Sequence, residues 1–258
     1  MLAGEINVKN VWWVLSAVLL PLFIIIPIIS IFLNLEIGTV ISKINQPIVY
    51  EALRVSFSTS LISILLVVIL GTPLAYVLAS KDFKGKRLLD SLVDLPMVLP
   101  PAVAGVALLM AFGRRGLIGQ SFGLNVSFTF AAVVLAQIFV AAPFFVRAAK
   151  SSFQAVPKEL KSASLTLGVT PWRTFWRVTL PLSAPGLMGG LVMSWARALG
   201  EFGATIMFAG NFRGVTQTLP LAIYTAMESD FQAAMVISAL MVIISLAVLI
   251  LVRHLTNQ

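Results

Sequence analysis

Six stretches of this sequence stay predominantly apolar for about twenty residues or more, near 11–33, 54–80, 93–112, 126–147, 183–208 and 231–253. A helix rises about 1.5 Å per residue, so roughly 20 apolar residues cross the ~30 Å hydrocarbon layer of a bilayer, and each stretch reaches that length. A transmembrane barrel would need short alternating segments of about 10 residues, and these runs are long and continuous instead. Composition agrees, with 59% hydrophobic and 11% charged residues. The expected fold class is an all-α membrane protein with six transmembrane helices. No connecting segment is long enough for a separate soluble domain, so residues 1–258 read as one membrane domain with one enlarged loop, 148–181. The first run, VWWVLSAVLLPLFIIIPIISIFL, is too long for a signal-peptide core, lacks a basic n-region and is not followed by a clean small-residue cleavage pattern, so it reads as a retained helix.

Lys and Arg near short loops stay on the cytoplasmic side of a membrane. With both termini inside, the inner set is Lys9, Lys81, Lys84, Lys86, Arg87, Arg147, Lys150, Lys158, Lys161, Arg173, Arg177 and Arg253, which is twelve. The outer set is Lys43, Arg54, Arg114, Arg115 and Arg213, which is five. This asymmetry uses most of the net charge of +8, and no nucleic-acid partner is needed to explain it.

Catalytic motifs are missing from the sequence. The only Gly-Lys is Gly85-Lys86, followed by Arg87, so no phosphate-cradling G-x-x-x-x-G-K-[ST] loop can be drawn. The chain has no Cys, which excludes disulfides and thiolate metal sites, and its single His254 lies in the C-terminal tail. No enzyme, resident metal or cofactor is expected.

The enlarged loop contains KELKSASLTLGVTPWRTFWRVTLP, residues 158–181. Pro157 stands at a plausible first helical position, Leu160, Ala163 and Leu167 recur at helical spacing, and Gly168 sits where the helix must stop. Thr170 is positioned to cap a second helix opened by Pro171, with Trp172, Phe175, Trp176 and Thr179 along one face. The periodicity therefore predicts two short amphipathic helices hinged at Gly168. Such a pair either lies in the headgroup layer or presents a docking surface to a cytoplasmic partner.

The spacing small-Ala-small, three residues, Gly168, nine residues, then VTLP resembles the loop signature of the membrane subunits of ABC importers, with Ala163 and Gly168 as its fixed points. Ser162 stands where that signature usually opens with Glu, the nearest acid being Glu159. KGKRLLDSLVDLPMVLPPAVAGVALLMAFGRRGLIG (84–119) and SWARALGEFGATIMF (194–208) are similar to molybdate and tungstate permeases, with sulfate permeases next. The resemblance runs from about residue 50 to the C-terminus. It implies a type I importer permease fold and a homodimer in the lipid bilayer, with two ATP-binding cassette subunits below and an extracytoplasmic oxyanion-binding protein above. It also implies that the loop couples to the ATPase subunit through Pro157, Glu159, Leu160, Ala163, Ser164, Leu167, Gly168, Pro171 and Trp172.

Two membrane features stand out beside the loop. Pro96, Pro100 and Pro101 each remove a backbone donor at the start of the third run, which marks either a lining of the translocation pathway or a proline-marked helix start at the interface. Arg197 and Glu201 sit one helical turn apart in the fifth run. A lone Arg at mid-bilayer costs about 2.5–3.5 kcal/mol on insertion scales, so the two charges are expected to face protein or water and each other. They form either a structural pair or a charge offered to a passing dianion. Arg114 and Arg115 on the outer side either anchor the interface or meet a docked binding protein.

The expected function is the membrane subunit of an ATP-driven importer that moves molybdate or tungstate by alternating access. The alternatives are a sulfate or thiosulfate importer, and from other classes an ion-coupled secondary transporter, a channel or a scaffold. The sequence holds no donor cluster able to select among tetrahedral anions. The orientation is testable directly: single cysteines placed at Lys84 and Lys161 are expected to resist an impermeant thiol reagent added outside cells, and ready labelling would invert the topology.

Overall fold

The structure is a computed structural model that describes residues 8–123 and 125–256. Side chains at 8–11, 14 and 251–256 fall outside the description, so the sequence readings of Lys9, Arg253 and His254 lie outside it too. The described residues form helices α1 (Val8–Leu33), α2 (Ile37–Ile44), α3 (Pro47–Ser80), α4 (Lys86–Val98), α5 (Pro101–Phe112), α6 (Leu117–Phe122) and α7 (Phe130–Ala155). After these come α8 (Lys158–Thr166), α9 (Pro171–Thr174), a π-helical turn (Phe175–Thr179), α10 (Leu180–Leu199), α11 (Gly203–Ala209), α12 (Leu219–Ser229) and α13 (Phe231–Thr256). Among the described residues six helical stretches are long and apolar enough to cross a membrane, as expected.

Helix α7 is the centre, packed between α3 and α10. One apolar cluster joins α5, α7 and α11 through Ala104, Leu108, Ala132, Ala136, Ala204 and Phe208. A second joins the N-terminal part of α3 to α12 and α13. A third, around Leu78, Phe145 and Phe153, joins the other end of α3 to α7. Small residues at these contacts let backbones approach closely, which is how helices associate where lipid is as apolar as protein. Polar side chains on α3 add directed bonds: Ser63 Oγ donates to Gln137 Oε1 at 2.9 Å, Trp195 Nε1 donates to Ser60 Oγ at 3.0 Å, and the Leu219 amide donates to Ser56 Oγ at 2.7 Å.

Three sequence expectations are corrected. The third run is not one helix from 93 to 112: α4 ends at Val98, Leu99 and Pro100 are extended, and α5 restarts with Pro101 at its first position. Paired prolines force this, because Pro101 clashes with a helical residue before it and neither ring supplies a donor. The fifth run, placed at 183–208, is also two helices, since α10 ends at Leu199 and α11 begins at Gly203.

Third, the 148–181 loop is shorter than its expected range, and its second helix is not separate. Helix α7 continues to Ala155, and α9 flows through the π turn into α10, making one span from Pro171 to Leu199. The π turn explains the continuity: Pro181 has no amide and would clash with the carbonyl four residues back, and widening to Leu180 N donating to Phe175 O makes room upstream of it.

The α5–α11 contact is one of the close small-residue approaches. A Cβ on Gly105 would stand 2.6 Å from Met207 Cβ and 2.8 Å from the Ala204 carbonyl oxygen, and backbone does not yield as a side chain does. Gly105→Val is therefore expected to destabilise the fold by about 1–3 kcal/mol, as overpacking does. A thermal-unfolding midpoint in detergent equal to that of the unsubstituted protein would show that these helices do not approach so closely.

Candidate translocation and coupling site

The two interrupted helices meet at their interruptions. Helix α11 packs along α5, and its first residue, Gly203, lies so close to Pro101 that a Cβ there would stand 2.6 Å from the Pro101 Cβ. The proline pair and the Arg197–Glu201 pair, separate candidates in the sequence, thus flank one junction. Pro96 lies inside α4, on the far side of the break from Pro101.

Glu201 is the pivot of that junction. It lies beyond the end of α10, not within a continuous helix as the sequence suggested, and is 1% exposed. One carboxylate oxygen, Oε2, accepts from Arg197 Nη1 at 2.7 Å, and the other, Oε1, accepts from the Ala204 amide at 2.8 Å. The same side chain therefore neutralises the membrane-embedded arginine and caps the first turn of α11, where amides lack helical partners. The Arg197 side chain is 30% exposed, so the guanidinium is reachable while its counter-charge is sealed. Thr205, one turn into α11, keeps a buried hydroxyl with no partner among the described residues.

One end of the bundle is tied by ion pairs that the sequence reading missed. Asp90 and Asp94 on α4 face α7, where Lys150 Nζ lies 2.6 Å from Asp90 Oδ2 and Arg147 pairs with Asp94. The signal was present in the four-residue spacing of the two aspartates, but only packing shows which cations they meet. These pairs clip the first half of the interrupted α4–α5 unit to the central helix. At the opposite end Lys43 pairs with Asp230 and Arg213 with Glu51, at 2.7 Å for the latter. Lys43 and the Ala233 amide hold the Asp230 carboxyl below its ordinary value. Arg114 and Arg115 lie exposed in the turn between α5 and α6, with no ion pair among the described residues.

Helix α8 occupies the 81–98 end. Pro157 caps it from outside the first turn, one residue earlier than expected. It ends as the sequence foretold: Gly168 has φ +78°, its amide donates to Leu165 O at 3.0 Å, and the Val169 amide donates to Ser164 O at 3.2 Å. This double bond pattern is a Schellman ending, which requires a left-handed residue. Glu159, Leu160, Ala163 and Leu167 are exposed, and Leu167 is 82% exposed, so an apolar stripe of α8 faces away from the bundle. Ser164 does not share that face: its hydroxyl bonds to Thr174 Oγ1 at 2.9 Å and ties α8 to α9.

Lys161 also turns inward, its ammonium donating to Phe153 O at 3.0 Å, and burial followed by the charge of Lys158 hold it below its ordinary pKa. Thr170 caps α9 as expected, accepting from the Arg173 amide at 3.4 Å. The aromatic face divides, however, with Trp172 and Trp176 exposed while Phe175 packs edge-on against Tyr76, ring centroids 4.8 Å apart, and Thr179 is buried. The π turn shifts the register of everything after Thr174, which a 3.6-residue period does not foresee.

Residues 69–258 match the family described as "Binding-protein-dependent transport system inner membrane component". The Molybdenum transport system permease protein ModB of Mycobacterium tuberculosis is 41% identical over 242 residues, 93% of this chain and 92% of its own length. The Sulfate transport system permease protein CysT of Synechococcus elongatus is 36% identical over 252 residues, 95% of this chain and 91% of its own. A solved bacterial ABC transporter, involved in the import of the acidic polysaccharide alginate, aligns with a TM-score of 0.77 at 17% identity over 95% of each chain. That likeness is one of fold.

The bifunctional carboxylate gives a defined outcome for substitution. Arg197→Ala leaves Glu201 buried and unpaired and is expected to lower stability by on the order of 3 kcal/mol. Arg197→Ala with Glu201→Gln retains an acceptor for the Ala204 amide and is expected to recover most of that loss, whereas Glu201→Ala in the same background recovers less. Folded yield and thermal midpoint in detergent measure this. Equal recovery by Gln and Ala would remove the capping role.

Proposed function

The chain belongs to the binding-protein-dependent transport system inner membrane components, a family of multi-pass inner-membrane proteins, and from that premise we propose that it is the permease subunit of an ATP-driven molybdate importer. The observation that carries the substrate is the 41% identity over 93% of the chain to a molybdenum transport permease. Tungstate, which has the same charge and tetrahedral shape, belongs to the same proposal. A sulfate importer is the second reading, favoured by the 36% identity to a sulfate permease.

In this reading residues 1–258 are one permease unit, working as a homodimer with two ATP-binding cassette subunits and an extracytoplasmic binding protein. Both termini and the end carrying α8 are cytoplasmic, and Arg114 and Arg115 face the binding protein. ATP hydrolysis belongs to the partner subunits. The outward stripe Leu160, Ala163 and Leu167, with Glu159 beside it, docks the ATPase, and Pro157, Pro171 and Trp172 frame the segment. Supporting this is the unbroken helical path from Pro171 to Leu199: about 28 residues at about 1.5 Å each give a lever of about 42 Å from the docking segment to the Glu201 junction.

Movement of α8, tied to α9 through Ser164 and Thr174, reaches Arg197, Glu201 and Pro101 through this lever. At the junction Arg197 offers a partly exposed positive charge to a dianion, and Thr205 offers a hydroxyl. Half-helix ends that meet inside the bundle suit such a role, because backbone groups freed there can meet a polar solute.

The experiment is uptake of labelled molybdate against sulfate by vesicles holding the full transporter and its binding protein, with Gly168→Val in parallel. A Cβ at Gly168 meets nothing of this chain within 4 Å, so the substitution strains the turn by about 1–2 kcal/mol without disturbing the bundle. Gly168→Val is expected to insert normally and to lose both ATPase copurification and uptake. Normal copurification with normal uptake would make α8 a membrane-surface helix. Sulfate uptake in preference to molybdate would select the second reading.

A further inference from the structure

We propose that the groove between α3 and the start of the α9–α10 span binds one acyl chain of an anionic phospholipid, with the lipid phosphate on Lys81. The groove encloses about 710 Å³ and is lined on one side by Val68, Ile69, Thr72, Pro73 and Tyr76, and on the other by Trp172, Phe175 and Trp176. Pro73, inside the continuous helix α3, lines it, and the facing helix carries the π turn. Its walls are almost wholly apolar, and the one charged residue that lines it is Lys81, at the end of α3.

Depth and charge together identify the occupant. From Val68 to Lys81 the helix rises about 20 Å, which is one leaflet's ~15 Å of hydrocarbon plus the beginning of the headgroup layer. The groove therefore runs from near the membrane centre to the interface and stops there, matching a single lipid chain. A helix of a second copy, about 10–12 Å across and spanning both leaflets, does not share that shape.

At the interface end the groove is flanked by Trp172, 69% exposed, and Trp176, 50% exposed, residues that settle at headgroup level. Lys81 is exposed there and forms no ion pair among the described residues. The neighbouring carboxylate does not compete for it, because Asp82 is held by Lys86 at 2.8 Å. A phosphate bearing net negative charge meets this cation directly, and a zwitterionic headgroup brings its own positive group.

The test uses the two tryptophans as reporters. The full chain, carrying Trp12→Phe and Trp13→Phe, is reconstituted into vesicles that mix unlabelled lipid with phosphatidylglycerol or phosphatidylcholine brominated midway along the acyl chain. The signal of Trp172 and Trp176 is taken by difference from the same chain carrying Trp172→Phe and Trp176→Phe. Brominated phosphatidylglycerol is expected to quench these residues with about fivefold higher apparent affinity than phosphatidylcholine, as one interfacial cation near a lipid phosphate provides. Lys81→Ala is expected to bring the two lipids to parity, and raised salt to narrow the gap in the unsubstituted chain.

Should Lys81→Ala insert poorly, Thr72→Phe, which fills the groove without touching the charge or adding a reporter, is expected to abolish the preference. Equal quenching by the two lipids in the starting chain would reduce the groove to ordinary lipid contact and overturn the proposal. Quenching by neither would mean that a second copy of the chain covers it, and would overturn it as well.

Discussion

In hydrocarbon no water stands by to satisfy a backbone amide or carbonyl, and the rest of this structure depends on how the chain meets that requirement. Continuous helices satisfy it almost throughout, and α7, lying at the centre, is one of them, with Pro143 removing a single amide from its ladder. Three instructive places among the described residues are those where the regular α-helical path is lost: Leu99–Pro100, the π turn before Pro181, and Gly200–Phe202. Each has its own remedy. At the first, Pro100 and Pro101 have no amide to satisfy. The second widens the turn without leaving the helix. The third turns a carboxylate into a helix cap.

The third remedy ties stability to charge. A carboxylate buried as deeply as Glu201 is unfavourable alone, and Arg197 with the Ala204 amide offsets that by saturating both oxygens. The arrangement leaves an asymmetry, since the negative partner is sealed and the positive one is partly reachable.

The ion pairs at the two ends of the bundle act differently. They are partly exposed, and exposed pairs contribute at most about 1 kcal/mol each, so their work is in positioning more than in stability. Asp90 and Asp94 hold α4 against α7, while α5, beyond the break, follows α11. The interrupted unit is thus anchored at one half to the central helix and at the other to the Glu201 junction. A displacement of α10 relative to α7 bears directly on the break between them.

Much of this was legible in the residues. The six spans follow from run length alone, because the bilayer imposes a minimum that few other folds demand. The ending of α8 at Gly168 was legible because one residue type accepts the left-handed turn without strain. The Thr170 cap and the proximity of Arg197 to Glu201 were legible because both depend on neighbours within four residues.

What the sequence did not determine depends on neighbours far along the chain. Continuous apolarity cannot reveal that 93–112 and 183–208 each break, or that the breaks meet, since Pro101 and Gly203 touch across about a hundred residues. The inward turn of Phe175 and Thr179 followed from a π turn that shifts the helical period, and Lys150 found Asp90 only through packing. By itself the sequence determined spans, caps and local charge pairs, which rest on interactions a few residues long. Tertiary structure alone decided which interruptions share a junction and which face of each helix is covered, because those choices rest on contacts that chain spacing does not encode.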